Sequence, residues 1–528
     1  MTLRSAGPSA RATGLGVALL LIYGLLASQQ YTAVDGALRC LDVFHLNALL
    51  VSGNNHLLAQ TDVFLWHRLL GLFGIAAADP LAYLRLTQLM NAAAAAGSAA
   101  LVYWIVRSTT SSDLAAVAAA AGLAFSHAFL LHATSSAEPM VGLLWSLVAL
   151  TGVLVAVRRT SPLPAAIAGV ALALSLATYE SMVMIAPALL LVSLTGERPR
   201  ARTIALVAGA AAATAGIYAW AYASSGTRTP ALMVRRFMDL PGAWVWGGAN
   251  AGKLANLPVG MAQSLFPVLP PGYGGIRSLL HAGVSMARLA WLAGAVLGLL
   301  TLAAAFARAA WRERAALKRS TGSLVVALGA GLLVAMLVPL AWDPLYDKLW
   351  LQPLALAFLI GGLLVGANAP PPRAVVARLA GLVVVLEIAL NLTWAVPAHL
   401  HASPYLEATR TIARTVRSGD LLVHDWDPVS QLYVNLWGAG VTTYDLPAEA
   451  VVRGPAAVRG LDSAVVAARR RGAAVYFLAV LDQDRGAWDA FLGRRLRVPF
   501  EALDRYRDSA HVVARLGDGP AAVTLRRL

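Results

Sequence analysis

Charge is what this sequence has least of. Only 13% of its 528 residues are Asp, Glu, Lys or Arg, about half the share usual in soluble domains. A water-soluble chain of this length needs more charge to cover its surface, so an ordinary soluble enzyme is excluded. The 58% of hydrophobic residues excludes a disordered or collagen-like chain as well. Cysteine is almost missing. Cys40 stands alone, which rules out an internal disulfide and a cysteine metal cluster and leaves the redox compartment open. Acids are outnumbered, 27 against 42 Lys and Arg, for a net charge of +15. In a chain this apolar, that excess reads as an orientation signal across a bilayer rather than as a nucleic-acid footprint.

Long apolar runs are abundant. The first, 14–27, follows Arg4 and Arg11 and lacks a persuasive small-x-small cleavage site, so it reads as a retained helix. Ten more follow at 82–106, 114–132, 140–157, 165–178, 181–194, 204–223, 286–307, 324–341, 350–365 and 375–396. The expected fold class is a polytopic α-helical membrane protein with about eleven transmembrane helices. The pair flanking Tyr179 and Glu180 is the shortest. With the N-terminus in the cytoplasm, the short inner loops hold Arg107, Arg158, Arg159, Arg198, Arg200, Arg202, Arg308, Arg312, Arg314, Lys318, Arg319 and Arg373. They satisfy the positive-inside rule, and an odd number of spans then puts the C-terminus outside.

Two outer segments, 31–81 and 224–285, are long and mix acids, histidines, aromatics and glycines. The second is punctuated by Pro and Gly and carries Trp, which suggests short helices lying on the membrane. Its length exceeds ordinary connections, which favours a functional element. From about residue 400 the composition changes to regular charge and alternating strands and helices, a small extracytoplasmic α/β domain with a partly parallel sheet. Domain boundaries are therefore expected at 1–399 and 400–528. Neither G-x-G-x-x-G behind the first strand nor G-K-[ST] occurs there, so a nucleotide site is unsupported.

The scarce polar residues on the outer side are the functional candidates. Asp35 lies just beyond the first span, where a low-dielectric edge can raise a carboxyl pKa and let it take a proton from a hydroxyl; a helix cap explains it equally well. Asp42 follows on the same loop. Asn54, Asn55 and His56 either bind a polar group or form a turn. Glu138 precedes Pro139 at a span handover, where it and its neighbours Ser135 and Ser136 also suit a cap. Glu180 interrupts an apolar stretch, and a carboxylate there is costly unless it faces water, a partner or a substrate. By this topology Asp35, Glu138 and Glu180 share the outer side and could line one cavity. Arg85, Arg235, Arg236, Lys253 and Lys348 could hold an anion. The Arg235 and Arg236 pair suits phosphate clamping or lipid headgroups alike. In 341–350 the cluster Asp343, Tyr346, Asp347 and Lys348 fits a local ion pair in an aromatic belt, or a substrate gate. His127 and His132 are five apart and make no metal site by spacing; the metal ligands stay unknown.

This layout resembles the GT-C superfamily of integral membrane glycosyltransferases, especially bacterial relatives of the protein O-mannosyltransferases and the lipid A aminoarabinose transferase. The likeness covers the first helix, the acidic outer loop, paired spans with acids at their outer turns, the second outer segment and the terminal domain. It implies an enzyme of the bacterial cytoplasmic membrane that transfers a sugar from a polyprenyl-phosphate donor to a glycan, lipid or protein acceptor at the outer face, among membrane lipids and without nucleic acid. The family's early loop acid falls on Asp35. A second acid is frequent beside it, and here Gly36 stands there, with Asp42 as a substitute further along. Glu138 and Glu180 suit the later acids, and Arg235 and Arg236 the carrier phosphate. One displacement at the anomeric carbon inverts its configuration, with basic residues or a divalent cation, Mg or Mn, offsetting the charge on the leaving phosphate. The rival readings are a transporter or flippase for an envelope precursor, another lipid-using envelope enzyme, and a noncatalytic assembly protein.

Overall fold

The computed structural model describes residues 7–29, 34–49, 56–137, 139–224, 250–267, 285–312, 321–367, 372–401, 403–425, 427–493, 496–516 and 523–528. Ten helices occupy the first part of the chain. They are α1 (Pro8–Leu25), α2 (Val34–Leu46), α3 (Ala59–Leu72), α4 (Pro80–Thr110), α5 (Asp113–Phe125), α6 (His127–Ala133), α7 (Pro139–Arg159), α8 (Leu163–Thr178), α9 (Ala186–Ser193) and α10 (Pro199–Ser224). Further helices run over Ala251–Leu265, Met286–Arg312, Gly322–Ala335, Leu351–Gly366 and Pro372–Leu400.

All eleven apolar runs of the sequence fall on helix. Among the described residues, seven helices are long and apolar enough to cross a membrane. α5 and α6, bent by 67° at Ser126, make an eighth if they cross as one broken span. The chain is thus a polytopic, largely α-helical membrane protein, but helix length does not confirm a count of eleven. Sequence explains the shortfall. The helix of 165–178 stops at Tyr179, whose backbone is extended (φ −155°, ψ 107°), and Glu180–Ile185 continues as a 3₁₀ turn before α9.

Small residues let the helices approach closely, as expected where lipid and core are equally apolar. At the crossing of α8 and α10, a Cβ on Gly169 would lie 2.2 Å from the Leu206 carbonyl oxygen, and one on Gly209 would lie 2.3 Å from that of Ala166. Charge ties other helices of the bundle. Asp113 at the start of α5 accepts from Arg11 Nη1 at 2.5 Å, Arg107 Nε at 2.8 Å and the Tyr103 hydroxyl at 2.8 Å, joining α1, α4 and α5.

By contacts the chain forms two compact units: Met1–Ser28 with Leu46–Ala76 and Arg85–Pro397, and Gln29–His45 with Ala77–Leu84 and Ala398–Leu528. Part of the first outer loop therefore belongs with the C-terminal residues. In that second unit Phe44 packs edge-on against Tyr83 at 5.2 Å, and His45 Nε2 lies 2.7 Å from the Asn435 carbonyl oxygen.

The C-terminal domain contains a mixed five-stranded sheet in the order β2-β1-β3-β5-β4. Its strands are β1 (Leu421–His424), β2 (Thr442–Asp445), β3 (Val475–Leu478), β4 (His511–Leu516) and β5 (Val523–Arg527). β1 pairs in parallel with β2 and β3, while β5 runs antiparallel to β3 and β4. β1 and β3 are buried throughout, as parallel strands covered on both faces should be. Leu421, Val423, Val475 and Phe477 pack with Leu461 and Trp488, whereas Leu422, Tyr476 and Leu478 pack with Ile412 and Tyr433. The helix Leu446–Arg453, capped by Asp445 accepting from the Ala448 amide at 2.8 Å, is an element the sequence reading did not separate.

Candidate functional site

The break between α8 and α9 brings a carboxylate into the helical unit. Because the helix ends at Thr178, Tyr179 and Glu180 leave the α-helical ladder, and the start of α3 docks on this end through three successive ties. The Leu58 amide donates to the Ala177 carbonyl at 2.8 Å. The Thr178 hydroxyl donates to Asp62 Oδ2 at 2.9 Å. The His56 amide donates to Glu180 Oε1, and the His56 ring meets Oε2 of the same carboxylate through Nδ1.

His56 holds this position at a backbone cost. Its φ is +52°, in the left-handed region that L-residues enter only at about 1–2 kcal/mol. A non-glycine residue there signals a conformation imposed by its surroundings. The imidazole is stacked on the Tyr179 ring, centroids 4.6 Å apart and planes 19° off parallel. The Glu180 Oε2 contact is an ion-pair contact that orients the ring, and Nδ1 makes no hydrogen bond among the described residues. The His56 side chain is 14% exposed and that of Glu180 41%, so the carboxylate keeps a solvent-facing side.

A buried cation completes the group. Lys348 lies in a 3₁₀ turn, Asp347–Trp350, with Nζ 4.6 Å from the Tyr346 ring centroid and 5.7 Å from that of Tyr179. The turn is held by the Trp350 indole donating to the Pro344 carbonyl at 2.7 Å. It is also pressed against the helix Ala251–Leu265, where a Cβ on Gly260 would come within 1.7 Å of that same oxygen. Lys253 reaches the same segment, donating through Nζ to the Ala341 carbonyl at 2.5 Å.

Of the residues singled out by sequence, His56, Glu180 and Lys348 are brought together, linked by Tyr179. Lys253 is engaged with a backbone oxygen near by. Asp35 is the second residue of α2, and two helical turns separate it from Asp42. Asp42 is half-buried, and burial raises its pKa against the opposing pull of His45 and Arg39. Arg85 is exposed on α4. Asn55, Glu138, Arg235 and Arg236 lie outside the described residues, and with them the meeting of three carboxylates. Asp343 accepts from the Leu345 amide at 2.9 Å, a turn contact. Among the described residues no three His, Cys, Asp or Glu side chains stand together to hold a metal ion. His56 and Glu180 form a pair of such groups and no more.

Sequence reasoning gave no role to Tyr179, whose ring is the shared wall, or to Asp62. Burial pushes the Asp62 carboxyl up to about 7, with the Thr178 hydrogen bond pulling it down. Its position in the first turn of α3 offered an ordinary capping explanation, which hid it. The raised value has a signed consequence. Between the ordinary aspartate value of 3.8 and about 7, the folded chain binds a proton that the unfolded chain has lost, so stability falls as pH rises through this window. Asp62→Asn keeps an acceptor for Thr178 and removes the titration. The variant is expected to be more stable than the parent at pH 8, by about 1–2 kcal/mol after allowing for solvent screening. At pH 5 the difference should shrink, and unfolding curves in detergent at both values check it.

No family model matches this sequence, and no curated protein matches it. Its likeness to solved structures is one of fold. ArnT from Cupriavidus metallidurans bound to undecaprenyl phosphate superposes with a TM-score of 0.58 at 11% identity, covering 98% of this chain and 97% of that one. The apo form of ArnT gives 0.56 at 11% identity, with 99% and 98% covered. From first helix to terminal sheet, this chain has the fold of ArnT.

Proposed function

We propose that the protein is a GT-C type glycosyltransferase that moves a sugar from a polyprenyl-phosphate carrier to an acceptor at the outer face of the bacterial cytoplasmic membrane. The observation that carries this reading is the end-to-end fold match with a protein crystallised with undecaprenyl phosphate. Residues 1–399 form the transferase body and 400–528 the appended extracytoplasmic domain, with the N-terminus cytoplasmic.

The chemistry is substitution at the anomeric carbon. The acceptor hydroxyl attacks, the carrier phosphate leaves with the bonding electrons, and Asp35 takes the hydroxyl proton. Lys348 supplies fixed positive charge where negative charge grows on the phosphate, in a site sheltered enough for that charge to count. Glu180 fixes the orientation of His56, whose ring meets the phosphate or the acceptor. Asp42, two turns from Asp35 on α2, is a reserve carboxyl on the same loop. Arg85, Arg235, Arg236 and Lys253 add anion-binding capacity for the donor, Asn55 is a further substrate-binding candidate, and Glu138 a further catalytic acid.

The test supplies labelled polyprenyl-phosphate sugars to the purified protein in lipid and looks for a glycosylated product. Transfer is expected, and Asp35→Asn is expected to slow it by about tenfold or more, at the low end for loss of a general base because Asp42 remains. Equal transfer by Asp35→Asn removes the base assignment. No transfer from any such donor, together with carboxylate-dependent uptake into sealed vesicles, moves the protein to the transporter class.

A further inference from the structure

A second polar site lies within the membrane part of the helical unit, among residues the transfer chemistry does not use. The helix Pro372–Leu400 carries Glu387, a carboxyl only 1% exposed inside an apolar span. Its Oε1 has no hydrogen-bond partner among the described residues. Such a group is expensive in hydrocarbon, and one that persists there marks a ligand or ion position by default.

Glu387 does not face packed side chains. It lines a cavity of about 330 Å³ whose other walls include Leu114, Phe266, Leu354, Phe358, Val365 and Val384. Two glycines, Gly361 and Gly381, also border it, and a Cβ added to either would meet nothing within 4 Å. The space is therefore real at the level of single atoms. At about 30 Å³ for each water-sized unit, it takes on the order of ten non-hydrogen atoms.

A further acceptor sits one helical turn along. Asn391 donates through Nδ2 to the Phe125 carbonyl at 2.6 Å and the Leu265 carbonyl at 2.7 Å, two oxygens released by the break after α5 and the end of the helix Ala251–Leu265. Those two bonds fix the amide orientation and leave its Oδ1 without a partner among the described residues. Spacing of i and i+4 puts Asn391 and Glu387 on one face of the helix. The chamber is thus apolar except for the Glu387 carboxyl at its edge, with the unpartnered Asn391 oxygen one helical turn beyond it.

We infer that this chamber binds the protonated amine of a small lipophilic amine, with its ammonium on Glu387 Oε1 and its alkyl body in the cavity. An ammonium carries three donors and no acceptor, which matches an unpaired carboxyl acceptor. Its charge offsets that of the carboxylate where water cannot. A neutral lipid tail fills the volume but leaves the carboxyl oxygen as it is, and a carboxylate adds repulsion.

The test needs no sugar donor, so its outcome is independent of the transferase reading. The protein in lipid nanodiscs is irradiated with a photoreactive decylamine carrying an aliphatic diazirine, and cross-linked peptides are mapped by mass spectrometry. Labelling is expected on the peptides holding Phe266 and Phe358. It should be competed by decylamine and not by equal concentrations of decanol or decanoate. Glu387→Gln is expected to lower it about tenfold or more, as for loss of a buried partner charge. Gly361→Leu, which keeps the carboxyl and fills the chamber, should lower it as well and decides the matter if the Glu387 variant does not fold. Undiminished labelling of a folded Glu387→Gln or Gly361→Leu protein overturns the proposal. So does competition by decanol as effective as that by decylamine.

Discussion

Glu180→Gln is expected to slow transfer from a polyprenyl-phosphate sugar by about 10²- to 10⁴-fold, the range for losing a positioned acid–base partner. The amide is nearly isosteric, and its oxygen still accepts from the His56 amide. Its nitrogen, however, replaces a negative oxygen against His56 Nδ1, so the ion-pair contact that orients the ring is lost. The imidazole is then no longer held toward the substrate. Product formation by the purified variant, compared with an unchanged unfolding midpoint, separates this from a folding defect. Activity within threefold of the parent would falsify the role given to the pair.

Gly260→Ala is expected to be the most damaging added methyl among the described glycines. The added carbon would lie 1.7 Å from the Pro344 carbonyl oxygen, a backbone atom that cannot rotate away. Overpacking of this kind costs about 1–3 kcal/mol. Relief has to come from separating the helix Ala251–Leu265 from the turn that carries Lys348, so the cost reaches the site as well as the fold. A lowered unfolding midpoint should accompany a fall in transfer of about tenfold, from displaced phosphate-binding charge. Gly216→Ala is the control, since its Cβ meets nothing within 4 Å on α10. Helix propensity alone should leave that variant equal or up to about 1 kcal/mol more stable. If both variants behave alike, close packing at residue 260 is not what positions the turn.

Apolar runs fix helices because periodicity and length are local properties, and all eleven are helical here. The terminal domain was equally legible: all five strands fall on segments read as strand-like, and the parallel pairing follows from the helices between β1, β2 and β3. The short helix Leu446–Arg453 escaped because it follows β2 without a loop. The site was legible only in part. Glu180 is conspicuous as a lone acid in an apolar stretch, and Lys348 as part of a charged cluster. That His56 would close on Glu180, 124 positions away, depends on a left-handed turn and on α3 docking against the end of α8. Neither leaves a mark in composition. Tyr179 had no role by sequence, and only the stacked His56 ring and the nearby ammonium give it one.

The strand order of the terminal domain sets a timetable. The parallel trio β2-β1-β3 can assemble once β3 has been made and delivered to the compartment where the domain folds, but β4 is made before β5 and joins the sheet only through it. Until β5 arrives, one side of β3 is an open template and β4 is an unpaired strand bearing Val512 and Val513, the kind of surface that seeds intermolecular pairing. At synthesis rates of about 5–20 residues per second the interval is brief, and it becomes permanent in any chain cut between β4 and β5. Proteolytic loss of Val523–Arg527 is therefore not a trimming of an end but the removal of a middle strand, and it marks the protein for aggregation or clearance.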